Sequence, residues 1–174
     1  KYLLIEVGHS EPVEGGLLLH LGMSGSLRVC DADEAPRLHD HVDIVLDSGR
    51  CIRFHDPRRF GAVLWWNPPA DEHSLLRDLG PEPLGDQFSG DYLWKKSRGR
   101  RGPVKNFIMD GKIVVGVGNI YANEALFMAG IHPARAAGRI SAARYSALAA
   151  AIRDVLSRAI RQGGTTLRDF LNSE

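Results

Sequence analysis

The sequence predicts an α+β chain in which antiparallel strands come first and helices follow. Three observations carry this. Over roughly the first sixty residues, short segments rich in β-branched or aromatic side chains alternate with turn formers. After Asn67-Pro68-Pro69 the apolar period lengthens from two to about 3.6 residues. Near the end, Tyr145, Leu148, Ala149, Ile152, Val155, Leu156 and Ala159 recur at helical spacing.

The strand segments are Lys1–Val7, Gly16–Leu21, Ser24–Cys30, His41–Leu46, Arg50–His55 and Gly61–Trp66. Asp47-Ser48-Gly49 reads as a hairpin turn between two of them. A sandwich or barrel-like sheet buries one face of such strands, and Trp65 and Trp66 read as core or sheet-edge packing. Helical spacing begins at Asp71–Leu79 and is broken by Gly80-Pro81-Glu82-Pro83, where proline cannot continue a helix. The linker is placed there, which divides the chain into 1–84 and 85–174. Gly85–Lys96, Pro103–Met109 and Asn119–Met128 follow as helices, with Pro103 suited to a first turn and Lys112-Ile113-Val114-Val115 as a strand-like insert. Ser141 is the expected N-cap of the last helix, and Gly163-Gly164 ends it because glycine accepts left-handed geometry.

With 44% hydrophobic and 25% charged residues, the composition suits a packed core. No apolar run approaches the roughly 20 residues of a membrane helix, and no signal-peptide pattern opens the chain, so a soluble, intracellular protein is expected. Cys30 and Cys51 belong to no CxxC pair; they read as half-buried hydrophobes, not as a disulfide or a metal site. The net charge of +1 hides an asymmetry: residues 1–66 hold 7 Lys+Arg against 10 Asp+Glu, and residues 67–174 hold 15 against 11. Lys95, Lys96, Arg98, Arg100, Arg101 and Lys105 lie between Asp91 and Asp110 with no acid among them, which suits a polyanion.

The chemistry concentrates in Pro103–Gly130. A glycine-punctuated turn, Gly116-Val117-Gly118-Asn119, leads into a helix whose first amides and positive dipole end suit an anion. Asn119 adds a side-chain amide and Lys105 an ammonium. A competing reading gathers His39, His41 and His55 with Asp40 and Asp56 into a hydrolytic metal site, though the ligand spacing is irregular.

The segment Met109–Glu124 closely resembles the helix-two-turn-helix module of bacterial formamidopyrimidine-DNA glycosylases. His20-Leu21-Gly22-Met23-Ser24-Gly25-Ser26-Leu27-Arg28, His39-Asp40-His41-Val42-Asp43, Asp56-Pro57-Arg58-Arg59-Phe60-Gly61, Leu79–Leu84 and Gln162–Leu167 resemble further motifs of that family, in its order. The resemblance implies a truncated antiparallel β-sandwich followed by a helix-two-turn-helix domain. It implies a monomeric bacterial cytoplasmic enzyme that removes oxidised purines from duplex DNA, flips the damaged nucleotide out of the stack and cuts the abasic site by β-elimination.

By residue type alone, Met23 and Phe60 read as ordinary core. The resemblance instead makes Met23, Arg58 and Phe60 the residues that fill the vacated space, with Arg58 bonding the orphaned base. It makes His39 and Arg100 DNA contacts, Arg100 standing where lysine is common in the family, and the anion site of Lys105, Gly118 and Asn119 joins them as a DNA contact. Lys1 matches a lysine that moves protons during elimination. The family's N-terminal proline nucleophile and adjacent glutamate have no counterpart ahead of Lys1, and its zinc-binding four-cysteine finger would lie beyond Glu174. Both ends therefore look cut, no cofactor is expected within the chain, and this polypeptide taken alone is expected to be inactive. The rivals are an oxidised-pyrimidine glycosylase of the endonuclease VIII type, a non-catalytic nucleic-acid-binding module and a metal hydrolase.

Overall fold

The computed structural model describes residues 2–8 and 14–163, so Lys1 and residues 164–167 of the last motif lie outside the described residues. The chain packs as two compact units, one ending at Arg77 and one beginning at Asp78.

The first unit contains strands β1 (Tyr2–Val7), β2 (Gly15–His20), β3 (Ser26–Asp31), β4 (Asp40–Val45), β5 (Arg50–His55) and β6 (Ala62–Trp66). They form two antiparallel three-stranded sheets ordered β1-β2-β6 and β3-β5-β4. Central β2 buries Leu18 and Leu19 at consecutive positions and central β5 buries Arg53 and Phe54 in the same way, so both strands are covered on both faces, with Cys51 on the Arg53 side. Trp66 is buried and Trp65 exposed, as alternation along an edge strand requires. Gly61 stands where the chain leaves β5 for the other sheet: a Cβ there would lie 2.5 Å from the Phe54 ring and 2.6 Å from the His20 carbonyl. The hairpin after β4 is closed by bonds from the Leu46 amide to the Arg50 carbonyl and from the Gly49 amide to the Leu46 carbonyl, with Gly49 at φ 78°.

The second unit is helical: α1 (Gly90–Ser97), α2 (Val104–Met109), α3 (Asn119–Met128) and α4 (Ala142–Arg161). On α4, Tyr145, Leu148, Ala149, Ile152, Val155 and Leu156 are buried, and Ser141 caps it by accepting from the Arg144 amide. Each of the larger apolar side chains buried along this stripe contributes about 1.5–3 kcal/mol relative to exposure, which dwarfs differences in helix propensity. Buried Tyr145 donates to the Ala137 carbonyl at 3.0 Å, so its hydroxyl is satisfied inside the core.

Three predicted elements differ. Asp71–Leu79 holds only a 3-10 turn at Ala70–Glu72, because His73 turns extended and its ring accepts from the Leu75 amide. Helix α1 begins at Gly90, not Gly85: Ser89 accepts from the Tyr92 amide, while Arg153 draws the Gly85 and Phe88 carbonyls to itself at 2.8 and 2.6 Å. Lys112–Val115 is a pair of turns, not a strand. The Asp110 carboxylate takes the Lys112 amide and the Asp110 carbonyl takes those of Ile113 and Val114, which sinks both apolar side chains into the core. The Gly80-Pro81 passage binds this loop, with the Gly80 amide on the Gly111 carbonyl and the Val115 amide on the Pro81 carbonyl.

Candidate functional site

In the first unit, two loops bring Met23, Arg58 and Phe60 together. Gly22, at φ 62°, lies so close to the Phe60-Gly61 backbone that a Cβ would come within 2.7 Å of it. Only glycine lets these loops touch. The other loop is tied by the buried Asp56, whose Oδ2 accepts from the Gly61 amide at 2.7 Å, and Arg59 turns it at φ 55°. The Arg58 guanidinium then sits 3.4 Å from the Met23 sulfur and 4.8 Å from the Phe60 ring centre. Met23 is 74% exposed and Phe60 59% exposed, which overturns the core reading of both. A thioether, a guanidinium and an aromatic ring left in water, yet in mutual contact, form an apolar tip carrying one cation.

His39 precedes β4 in a left-handed turn at φ 74°, so it does not share a strand face with His41; a register shift between Asp40 and Val42 breaks the alternation as well. The His39 carbonyl accepts the Asp56 amide, and the His41 ring bonds the Asp56 carbonyl at 3.0 Å. His55 bonds Asp40 at 2.9 Å, and the other Asp40 oxygen takes the Arg37 amide and Arg28. These histidine nitrogens brace the His39 and Asp56 loops, and among the described residues no cluster of three or more His, Cys, Asp or Glu is placed to hold a metal. Cys30 and Cys51 stand opposite each other in the β3–β5 pair as buried free thiols.

The Arg37 amide, helped by the His55 ring and Arg28, holds the Asp40 carboxyl well below its ordinary range, against the opposing effect of burial. A depressed carboxylate stabilises the fold above its unfolded pKa of about 3.9 and loses that contribution as pH falls. Asp40→Asn is therefore expected to lower the thermal midpoint most at pH 7, with the gap to the parent shrinking below about pH 4. Melts at several pH values check this, and a gap that stays constant down to about pH 2.5 would count against it.

In the second unit, α3 starts at Gly118, where no side chain caps the helix, and the Ala122 amide is the first to close on the Gly118 carbonyl. Gly116 takes φ 79°, and nothing lies within 4 Å of a Cβ at Gly118, so the approach to the exposed Asn119 is open. Lys105 lies on α2 and is half-buried.

The basic run divides by task. Arg98 is structural: it donates to the Trp94 carbonyl, the Ser97 hydroxyl and the Ile140 carbonyl, and lies 5.0 Å over the Trp94 ring. Lys95 pairs with Asp91 at 2.7 Å. Arg100 and Arg101 are exposed, and the Arg100 carbonyl accepts the Gly138 amide. Through that bond, the Ala137-to-Gly102 bond and the Val104-to-Arg135 bond, residues 133–139 lie along residues 100–105, and this neighbouring segment carries the exposed Arg135 and Arg139. Among the described residues no ion pair engages Arg100, Arg101, Lys105, Arg135 or Arg139. Arg135 and Arg139 escaped the sequence reading because neither stands in a charge run; the tertiary fold alone adds them.

Residues 79–171 match the H2TH domain of formamidopyrimidine-DNA glycosylase and residues 1–63 match its N-terminal domain. The chain is 63% identical over its full length to the formamidopyrimidine-DNA glycosylase of Alcanivorax borkumensis, covering 62% of that protein. It is 61% identical to that of Thioalkalivibrio sulfidiphilus, again covering 62%. The chain thus spans about three fifths of the length of the curated relatives it matches. Among solved structures, MutM (Fpg) of Thermus thermophilus superposes with TM-score 0.83 at 35% identity, over 97% of this chain and 60% of that one. Lactococcus lactis Fpg in complex with DNA containing an abasic site superposes with TM-score 0.87 at 28% identity, over 96% and 60%. From its paired β-sandwich and helical units and its agreement with both domain families, the chain belongs to the formamidopyrimidine-DNA glycosylase family.

Proposed function

We propose that this chain acts in base-excision repair, holding duplex DNA at an oxidised purine or abasic site, within a protein that excises the base and cleaves the strand by β-elimination. The observation that carries this reading is the exposed contact of Met23, Arg58 and Phe60. An apolar tip bearing a guanidinium fits the gap left by a flipped nucleotide: the ring and thioether replace lost stacking, and the guanidinium bonds the unpaired base. Relatives that match the chain carry the glycosylase name, and neighbouring structures hold abasic-site and carbocyclic 8-oxo-G DNA.

In this reading the Gly118-Asn119 helix start, Lys105 and Arg100 bind phosphates, with His39 adding a contact from the first unit. Lys1 serves proton transfer near the sugar. Neutralising Lys105 as Lys105→Gln is expected to weaken binding to an abasic-analogue duplex and to flatten the log–log salt dependence by about one phosphate contact. Titrations across a series of salt concentrations read this, and an unchanged slope would remove Lys105 from the interface.

Tested as a separate polypeptide, residues 1–174 offer no match to the proline nucleophile and glutamate by which the family forms and processes a Schiff base. Borohydride reduction in the presence of damaged duplex is expected to leave it without a covalent adduct. A trapped complex would show that a lysine or another amine of this chain suffices.

A further inference from the structure

We infer that Cys30 and Cys51 form an oxidisable pair, a site at which a small hydroperoxide joins β3 to β5 through a reversible disulfide. The two residues face each other directly in the antiparallel register, their sulfurs 3.5 Å apart, and both are free and buried. That separation is van der Waals contact. Side-chain rotation needs to close only about 1.5 Å to reach a bond of about 2.05 Å. Directly opposed strand positions also bring the Cα atoms within the range a disulfide spans.

Cys30 is 7% exposed and Cys51 is fully buried, so a small oxidant reaches Cys30 first. Burial also pushes the Cys51 thiol upward, with the Cys30 contact adding to it, which leaves Cys51 the poorer initial nucleophile. The Cys30 thiolate attacks one peroxide oxygen, and hydroxide leaves to take up the thiol proton as water. The Cys51 sulfur then attacks the Cys30 sulfenic sulfur, the S–S bond forms as the S–O bond breaks, and the Cys51 proton departs with the oxygen as a second water. Two thiols have lost two electrons, and one hydrogen peroxide has become two waters.

The ring so closed spans the 21-residue separation from Cys30 to Cys51 and contains His39 and Asp40. A link of that length restricts the unfolded chain and raises the thermal midpoint of the first unit by several degrees. The experiment exposes the folded chain to hydrogen peroxide, counts thiols after denaturation and maps peptides without reduction. The expected result is loss of both thiols in one monomeric product containing a Cys30–Cys51 cross-linked peptide, restored by dithiothreitol. In Cys51→Ser, Cys30 is expected to stop at a sulfenic acid that dimedone traps. Two thiols still titrating in the treated protein, disulfides only between chains, or Cys30 advancing to sulfinic acid in the parent would each overturn the inference, and the parent's peptide map decides even if the variant fails to fold.

Discussion

Arg58→Ala is expected to reduce affinity for an abasic-site duplex by about tenfold to a hundredfold while leaving undamaged duplex nearly unaffected. In the proposed reading the substitution removes a guanidinium's bidentate contact to a base, worth about 1–3 kcal/mol. Contacts to phosphates are unchanged by the substitution and dominate binding to intact DNA. Arg58 is exposed and its guanidinium contacts the sulfur of Met23 and the ring of Phe60, both exposed residues, so removing it leaves the core untouched. Arg58→Lys is expected to restore little, because a point ammonium offers neither the fork nor the flat face over Phe60. Paired titrations of the two duplexes read the effect. An equal loss on both would make Arg58 one more phosphate ligand and would withdraw the void-filling role.

A large loss of stability, about 1–3 kcal/mol, is expected from Gly90→Ala. A Cβ on Gly90 would lie 2.4 Å from the Ser146 Cα and 2.6 Å from its amide nitrogen, backbone atoms of α4 that cannot rotate away. The substitution forces α1 and α4 apart and loosens the contact between Leu93 and the α4 stripe. Alanine's better helix propensity returns at most about 1 kcal/mol, and less at a first helical residue, so overpacking wins. Thermal or urea unfolding measures this. A variant as stable as the parent would mean that the helices meet less closely than a 2.4 Å approach demands.

Much of the fold could be read along the chain because its strongest patterns agree with what packing rewards. The α4 stripe is long, regular and capped by Ser141, and it lies in the core of the second unit as expected. Strands β5 and β6 were legible because turn residues bound short β-branched runs. The failures share a cause: local propensity was overruled by a particular partner. Ile113 and Val114 look like a strand, but the Asp110 carbonyl captures their amides and no neighbouring strand pairs with them among the described residues. Gly85–Phe88 looks helical, but Arg153, far along the chain, takes two of its carbonyls.

The candidate site shows the same division. The motif Asp56-Pro57-Arg58-Arg59-Phe60-Gly61 marked a loop of interest, yet residue type alone assigned Phe60 and Met23 to the core, and only the contact of two loops across Gly22 left them in water. Charge runs pointed to Arg98 and Lys105 alike, although Arg98 is spent on three internal hydrogen-bond partners. The order of residues alone was enough to establish the two structural regimes, the helix starts after Ser141 and Gly118, and the family, since period, caps and ordered motifs are local properties. Which cations stay out of ion pairs, which apolar side chains remain exposed and that Cys30 meets Cys51 were settled only on folding, because each depends on residues distant in sequence arriving at the same place.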